Sequence, residues 1–234
     1  MGKFVEKTLD AIDRTIDIII LLIFLIVFLI GIYFVADVAY VFYNATAGAV
    51  HIERPTIEEA ALTLSDLSDE AIAWLTLDDT RVDYPIMRGE DNAKYLNLDP
   101  QGNYNLAGSI FMDSRNDGTF TEPYNLIYGH HMSNDYMFGA LDHFEKEDYF
   151  DKHRTGTIMT RDGRELKLNI FAFAVLDAHD EEVFTPGYAY DIHEYIRSNA
   201  KIYRDNNGGL VVALTTCREP GMTTRSLVFC EIIN

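Results

Sequence analysis

Residues 210–217 read LVVALTTC and residues 225–233 read RSLVFCEII, two β-rich runs joined through the turn-forming Arg218-Glu219-Pro220-Gly221. Short runs of β-branched and apolar residues bounded by turn signals are the pattern of strands, so this end of the chain reads as a β-hairpin. Working outward, runs of the same kind recur as AIAWLTL from Ala71, VDYPIM, GSIFM at 108–112, NLIY at 125–128, TGTIMT at 155–160 and ELKLNIFAFAV at 165–175. Gly, Asn and Asp signals separate them, as Arg161-Asp162-Gly163-Arg164 does between two of the runs. Eight such runs imply one all-β barrel or sandwich. Three segments read instead as peripheral helices. Thr56–Leu67 carries Ile57, Ala60, Ala61 and Leu64 on one face behind a Thr cap; Asn134–Glu145 aligns Met137, Phe138, Leu141 and Phe144; Asp191–Asp205 aligns Ile192, Tyr195, Ile196 and Tyr203.

At the other end, Ile18–Ala36 is 19 residues without a charge, IIILLIFLIVFLIGIYFVA. At about 1.5 Å per residue a helix of this length crosses a hydrocarbon core of about 30 Å, so it reads as one N-terminal transmembrane helix. Lys3, Lys7 and Arg14 precede it and no Lys or Arg follows until Arg54, which places the N-terminus in the cytoplasm and the rest outside. A cleaved signal peptide is the competing reading, with Ala45-Thr46-Ala47 as its site. The apolar run exceeds the roughly 7–15 residues of a signal core, and that site lies well beyond its end. Beyond residue 36 the chain holds 33 acidic against 16 basic residues. No basic stripe exists to neutralise phosphates, so nucleic acid is excluded as a partner. The 2 cysteines are too few for a disulfide-stapled scaffold, so stability rests on a packed core.

Cys217 closes a strand beside a turn, where scaffolds present reactive groups. A lone cysteine is more often a small buried hydrophobe, but Arg225 opens the next strand and the hairpin brings a permanent cation towards the sulfur. Such a cation favours the thiolate and offers donors to a developing oxyanion. In Tyr128-Gly129-His130-His131-Met132 a strand ends at a glycine, and one imidazole there is placed for general acid–base work. His130 and His131 point to opposite faces of extended chain, which argues against a two-histidine metal site. Cys230, five positions after Arg225, faces the other way and reads as core, and a Cys217–Cys230 disulfide is rejected. Asp113-Ser114-Arg115-Asn116-Asp117-Gly118 begins like a calcium loop, but Arg115 at its third position and Tyr124 at its twelfth break the pattern. No metal site is expected.

Taken in order, WLTLDDTRVDYPIM from Trp74, GEDNAKYLNLD, GSIFMDSRN, NLIYGHHM with MFGAL, LTTC and the Arg225 strand resemble the sortases, and among them class B. The resemblance implies an eight-stranded sortase-type β-barrel with peripheral helices, including a long helix before the cysteine strand that Asp191–Asp205 would supply. It implies a cysteine transpeptidase with Cys217 as nucleophile, His130 as acid–base and Arg225 at the oxyanion. Asn92, Leu96 and Thr215 match groove-lining positions. Class B members commonly carry Ser where Thr215 stands, and some relatives carry an acid where Arg218 stands, so subsite preferences do not transfer. The expected partners are the sorting-signal peptide of a secreted surface protein, cleaved between Thr and Gly, and an amine acceptor, either a lipid-linked peptidoglycan precursor or a pilin lysine. No cofactor is implied. The expected division is a cytoplasmic segment 1–17, the transmembrane helix 18–36, an extracellular linker and helix 37–70, and the catalytic barrel 71–234. A cysteine protease that only hydrolyses and a non-catalytic surface module are the competing functions.

Overall fold

The computed structural model describes residues 2–50, 52–187, 191–217 and 223–233; for residues 3–6, 10, 11, 41, 42, 44–50 and 217 the description extends to the backbone alone. The turn at 218–221, with Arg218, therefore lies outside the described residues. The chain divides into two compact units, Met1–Asn44 and Ala45–Asn234. The first lies within helix α1 (Gly2–Val50), where Lys7–Tyr40 is long and apolar enough to cross a membrane. The large apolar side chains from Ile18 to Val35 are all exposed. Such a surface is unfavourable in water by about 25 cal/mol per Å², a property that membrane-spanning and signal segments share.

The first element wholly inside the second unit is α2 (Ile57–Leu67), started by Glu59, whose carboxylate accepts from the Thr56 N–H and hydroxyl. Ala60 and Leu64 are buried and pack with Ala71 and Trp74 on the outside of the sheet. The strands are β1 (Ala71–Leu77), β2 (Asp83–Met87), β3 (Ile110–Met112), β4 (Tyr124–Tyr128), β5 (Thr155–Thr160), β6 (Glu165–Asp177), β7 (Ile202–Tyr203), β8 (Val211–Cys217) and β9 (Thr224–Ile233). Their order is β5-β1-β2-β3-β4-β8-β9-β6-β7, and a β5–β6 pairing closes the first eight into a barrel, with β7 as a two-residue addition beside β6. Closure leaves the eight strands no open edge.

Along β9 the residues alternate between two cores. Val228 and Cys230 join Val212 and Leu214 inside the barrel, whereas Leu227 and Phe229 pack outside beneath Ile192 and Ile196 of α5 (Ile192–Asn199). Described side chains of β8 are buried on both faces, which is why its sequence is apolar almost throughout.

Two helix expectations are corrected. Residues 134–145 do not form one helix: Asn134, Asp135 and Met137 have φ of 59°, 63° and 52°, and the segment breaks into an irregular 3₁₀ turn at Ser133–Asp135 and a 3₁₀ helix at Gly139–Glu145. The apolar spacing still buries Phe138, Leu141 and Phe144 completely, but as a plug in the barrel core. The helix expected over 191–205 is only α5, capped by the Asp191 side chain on the His193 and Glu194 amides; Ala200 is extended, and Ile202–Tyr203 pair with β6. Single helical turns α3 (Glu147–Phe150) and α4 (Glu181–Phe184) complete the unit.

The β8–β9 register pairs Cys217 with Arg225 and Val212 with Cys230. The two cysteines thus sit five steps apart on the ladder, about 16 Å at 3.3 Å per residue, beyond the ~7 Å Cα separation a disulfide can span. Burial pushes the Cys230 thiol far above its ordinary pKa. A Cys217→Ala variant, titrated with a thiol reagent at neutral pH, should therefore react only after unfolding in denaturant.

Candidate active site

β8 lies between β4 and β9. β4 runs parallel to β8 with Tyr128 opposite Thr215, and the Gly129 N–H donates to the Thr215 carbonyl at 3.1 Å. The same two-residue step past this pair carries one strand to His130 and the other to Cys217. On the opposite edge of β8, the antiparallel ladder sets Cys217 directly across from Arg225. Neighbouring strands are about 4.8 Å apart, so the backbone alone gathers the three positions at one end of the barrel. A Cβ on Gly129 would lie 2.5 Å from Ile110 and 2.7 Å from the Phe138 ring, so this turn into the histidines has no room for a side chain.

A cavity of about 300 Å³ opens here, lined by Asn92, Leu96, Phe111, Tyr128, Gly129, His130, Thr215 and Arg225. Every expected site residue with a described side chain lines it; Cys217 is placed by its backbone only. His130 Nε2 is 2.8 Å from the Leu96 carbonyl, which can only accept, so Nε2 carries a proton. His131 turns the other way, towards Asp142. Among the described residues the buried Thr215 hydroxyl has no hydrogen-bond partner, an expensive state that a polar ligand group would relieve.

Below the cavity lies a buried carboxylate from the segment 113–118, whose sequence begins like a calcium loop. Asp113 is fully buried and accepts from Arg115 Nε at 2.8 Å and a second guanidinium nitrogen at 2.7 Å, from Asn92 Nδ2 at 2.9 Å and from the Tyr128 hydroxyl at 3.1 Å. The Ser114 N–H donates to Asn92 Oδ1, fixing that amide at both ends. Burial would raise the Asp113 pKa, but the hydrogen bonds and charge of Arg115 outweigh it and hold the carboxyl below its usual range. Tyr128 is pushed the other way, first by burial and then by the Asp113 charge, and stays a neutral donor. Arg115 also donates to the Phe184 carbonyl at 2.6 Å, tying α4 to the cluster. Phe111 stacks on Tyr128 with ring centroids 5.4 Å apart. The sequence signal for this cluster was the polar run straight after the GSIFM strand; its partners Asn92 and Tyr128 are too distant in the chain to be paired by inspection.

The backbone presenting Leu96 is held closely from behind. Gly108 has φ +59°, and a Cβ there would lie 2.5 Å from the Tyr95 carbonyl oxygen. Tyr95 donates its hydroxyl to Glu70 at 2.6 Å, anchoring the segment to the residue before β1.

A model of the sortase domain matches residues 75–233 of the chain. Sortase B of Staphylococcus aureus is 34% identical over 101 residues, 43% of this chain and 40% of that protein. Sortase B of Listeria monocytogenes is 33% identical over 121 residues, 52% of this chain and 49% of that protein. The matched chain thus spans less than half the length of these curated relatives. Among solved structures, a class B sortase of Streptococcus pyogenes involved in pilus biogenesis is 38% identical, with a TM-score of 0.67 over 73% of this chain and 96% of that one.

Replacing Arg115 with Ala should destabilise the protein by about 1–3 kcal/mol at pH 7, by leaving Asp113 buried without its main partner. Because the folded-state pKa of Asp113 is lowered, the lost contribution is fully present above the unfolded carboxyl pKa of about 3.9 and fades as pH falls through the folded value. Urea unfolding of both proteins should show the gap at pH 7 closing below about pH 4.

Proposed function

The chain belongs to the sortase family, in its class B branch, and we propose that it is a membrane-anchored cysteine transpeptidase. In this reading it cleaves the Thr–Gly bond of a sorting signal and passes the acyl group to an amine. The observation that carries the proposal is the strand order: the cysteine strand runs between the His130 strand and the Arg225 strand, beside a cavity lined by both of those side chains.

The steps follow from the donors available. The Cys217 thiolate attacks the Thr carbonyl carbon, forming a C–S bond and moving the carbonyl π electrons onto oxygen. Arg225 and backbone N–H groups hold that oxyanion. His130 enters as imidazolium and gives its proton to the departing Gly nitrogen as the C–N bond breaks, leaving a thioester. With Nε2–H engaged by the Leu96 carbonyl in either charge state, the proton exchanged with substrate is the one on Nδ1. Neutral His130 then takes a proton from the incoming amine as it attacks the thioester and releases the thiolate. The Thr215 hydroxyl supplies a hydrogen bond to the bound peptide, and Asn92, Leu96, Phe111 and Tyr128 form the walls.

The exposed apolar stretch of α1 supports a bilayer anchor, and the basic residues ahead of it support a cytoplasmic N-terminus with residues 37–234 outside. Anchoring confines the enzyme to the surface where a secreted substrate and a lipid-linked acceptor also reside, which raises their effective concentration. A pilin lysine is the second acceptor of suitable chemistry.

A panel of sorting-signal peptides, incubated with and without an added amine, tests the proposal. The native protein should give an amide product with the amine. Cys217→Ala should abolish turnover, Arg225→Ala should lower kcat/KM by about 10²–10³, and His130→Ala by about 10²–10⁴. Thr215→Val, which replaces the buried hydroxyl with a methyl group, should raise KM up to about tenfold. Undiminished cleavage by Cys217→Ala would refute the mechanism, and hydrolysis without any amide product would refute the transfer step.

A further inference from the structure

Resting on the transpeptidase reading above, we infer that Asp142 is a positioning residue that sets the distance between the acid–base histidine and the oxyanion arginine. Its carboxylate bridges the residues adjacent to both. One oxygen is 3.0 Å from His131 Nε2, and the other accepts from the Ser226 hydroxyl at 2.6 Å. His131 follows His130 in the chain, and Ser226 follows Arg225. A carboxylate only accepts, so His131 donates from Nε2 and the link runs unbroken from the end of β4 to the start of β9.

The loop between His131 and Asp142 explains why a tie is needed. Its backbone is left-handed at Asn134, Asp135 and Met137, a region that asparagine and aspartate favour and methionine rarely adopts. Such a conformation persists only where its surroundings over-determine it. The loop is closed by the Phe138 N–H on the His130 carbonyl at 3.0 Å and by the Met137 N–H on the Tyr84 hydroxyl at 2.9 Å. Its ends are pressed together so closely that a Cβ on Gly139 would lie 2.0 Å from the Met132 carbonyl oxygen. These bonds hold the loop to itself and to β2. The Asp142 bridge links it to β9, where Ser226 is fully buried and pairs with Thr216, one step from the Cys217–Arg225 pair.

The bridge is partly exposed at its histidine end, with His131 and Asp142 side chains each 28% exposed, and buried only at Ser226. Its removal should therefore disturb geometry more than stability. Asp142→Ala should lower kcat for peptide transfer at least tenfold, with KM within twofold of the native value and a Tm within a few degrees. Asp142→Asn keeps the bridge, because its oxygen accepts from His131 while its amide donates to a rotated Ser226 hydroxyl. That variant should recover most of kcat. Ser226→Ala, which cuts only the link to β9, should lower kcat about three- to tenfold at unchanged KM, and it decides the matter should Asp142→Ala fail to fold. The rate of Cys217 alkylation by iodoacetamide, measured on the same variants, should drop several-fold in Asp142→Ala and Ser226→Ala. It reads the bridge without any peptide, so a native protein that cleaves no sorting signal would sink the transpeptidase reading and leave this test standing. Native kcat and native alkylation rate in a folded Asp142→Ala or Ser226→Ala protein would overturn the inference, as would a kcat loss in Asp142→Ala that Asp142→Asn fails to recover.

Discussion

The cavity depends on β8 being hydrogen-bonded along both edges, parallel to β4 on one side and antiparallel to β9 on the other. Two independent ladders fix its register, and each sets a different partner beside the cysteine end. A slip of one residue in either would exchange inward for outward side chains along a strand packed on both faces, which the two cores on either side of β8 and β9 forbid. The hydrophobic pattern that makes the barrel is thus the same pattern that aligns Cys217, His130 and Arg225. Chemistry at this mouth follows from core packing rather than from a separately folded loop.

The polar groups beneath the cavity add rigidity of another kind. A buried carboxylate gains little net stability from its partners once desolvation is counted, yet removing a partner is costly. Asp113 places its oxygens where Arg115, Asn92 and Tyr128 satisfy them together, so two wall residues of the cavity are oriented by one charge. Leu96, another residue of the cavity lining, is placed by the fit of Gly108 against the Tyr95 carbonyl and by the Tyr95–Glu70 hydrogen bond. The walls are preorganised before any peptide arrives, which limits the ordering cost of binding.

Much of the fold was legible because strand signals are local. All eight β-rich runs became strands, and the Arg161–Arg164 turn falls between β5 and β6 as its composition indicated. Helix signals misled where apolar spacing had another cause. Met137, Phe138, Leu141 and Phe144 recur at helix-like intervals because they plug a barrel mouth, and the left-handed backbone that seats them leaves no periodic trace. Beyond α5, Ile202 and Tyr203 were taken up by pairing with β6, a long-range contact that overrides local propensity. In the site, residues carried by strand ends were identifiable. The Asp113 cluster and the Asp142 bridge were not, because each joins residues many positions apart through side chains that look like ordinary surface polarity in the sequence.

The proposed mechanism has the sulfur at the end of the middle strand attack the peptide. Its most direct measurement is the intact mass of the enzyme after rapid mixing with a sorting-signal peptide in the absence of any amine, followed by peptide mapping of the adduct. The expected result is a hydroxylamine-sensitive thioester carrying the peptide up to its threonine, located on Cys217. An adduct on another residue, or peptide cleavage in which no covalent species forms within the turnover time, would contradict it.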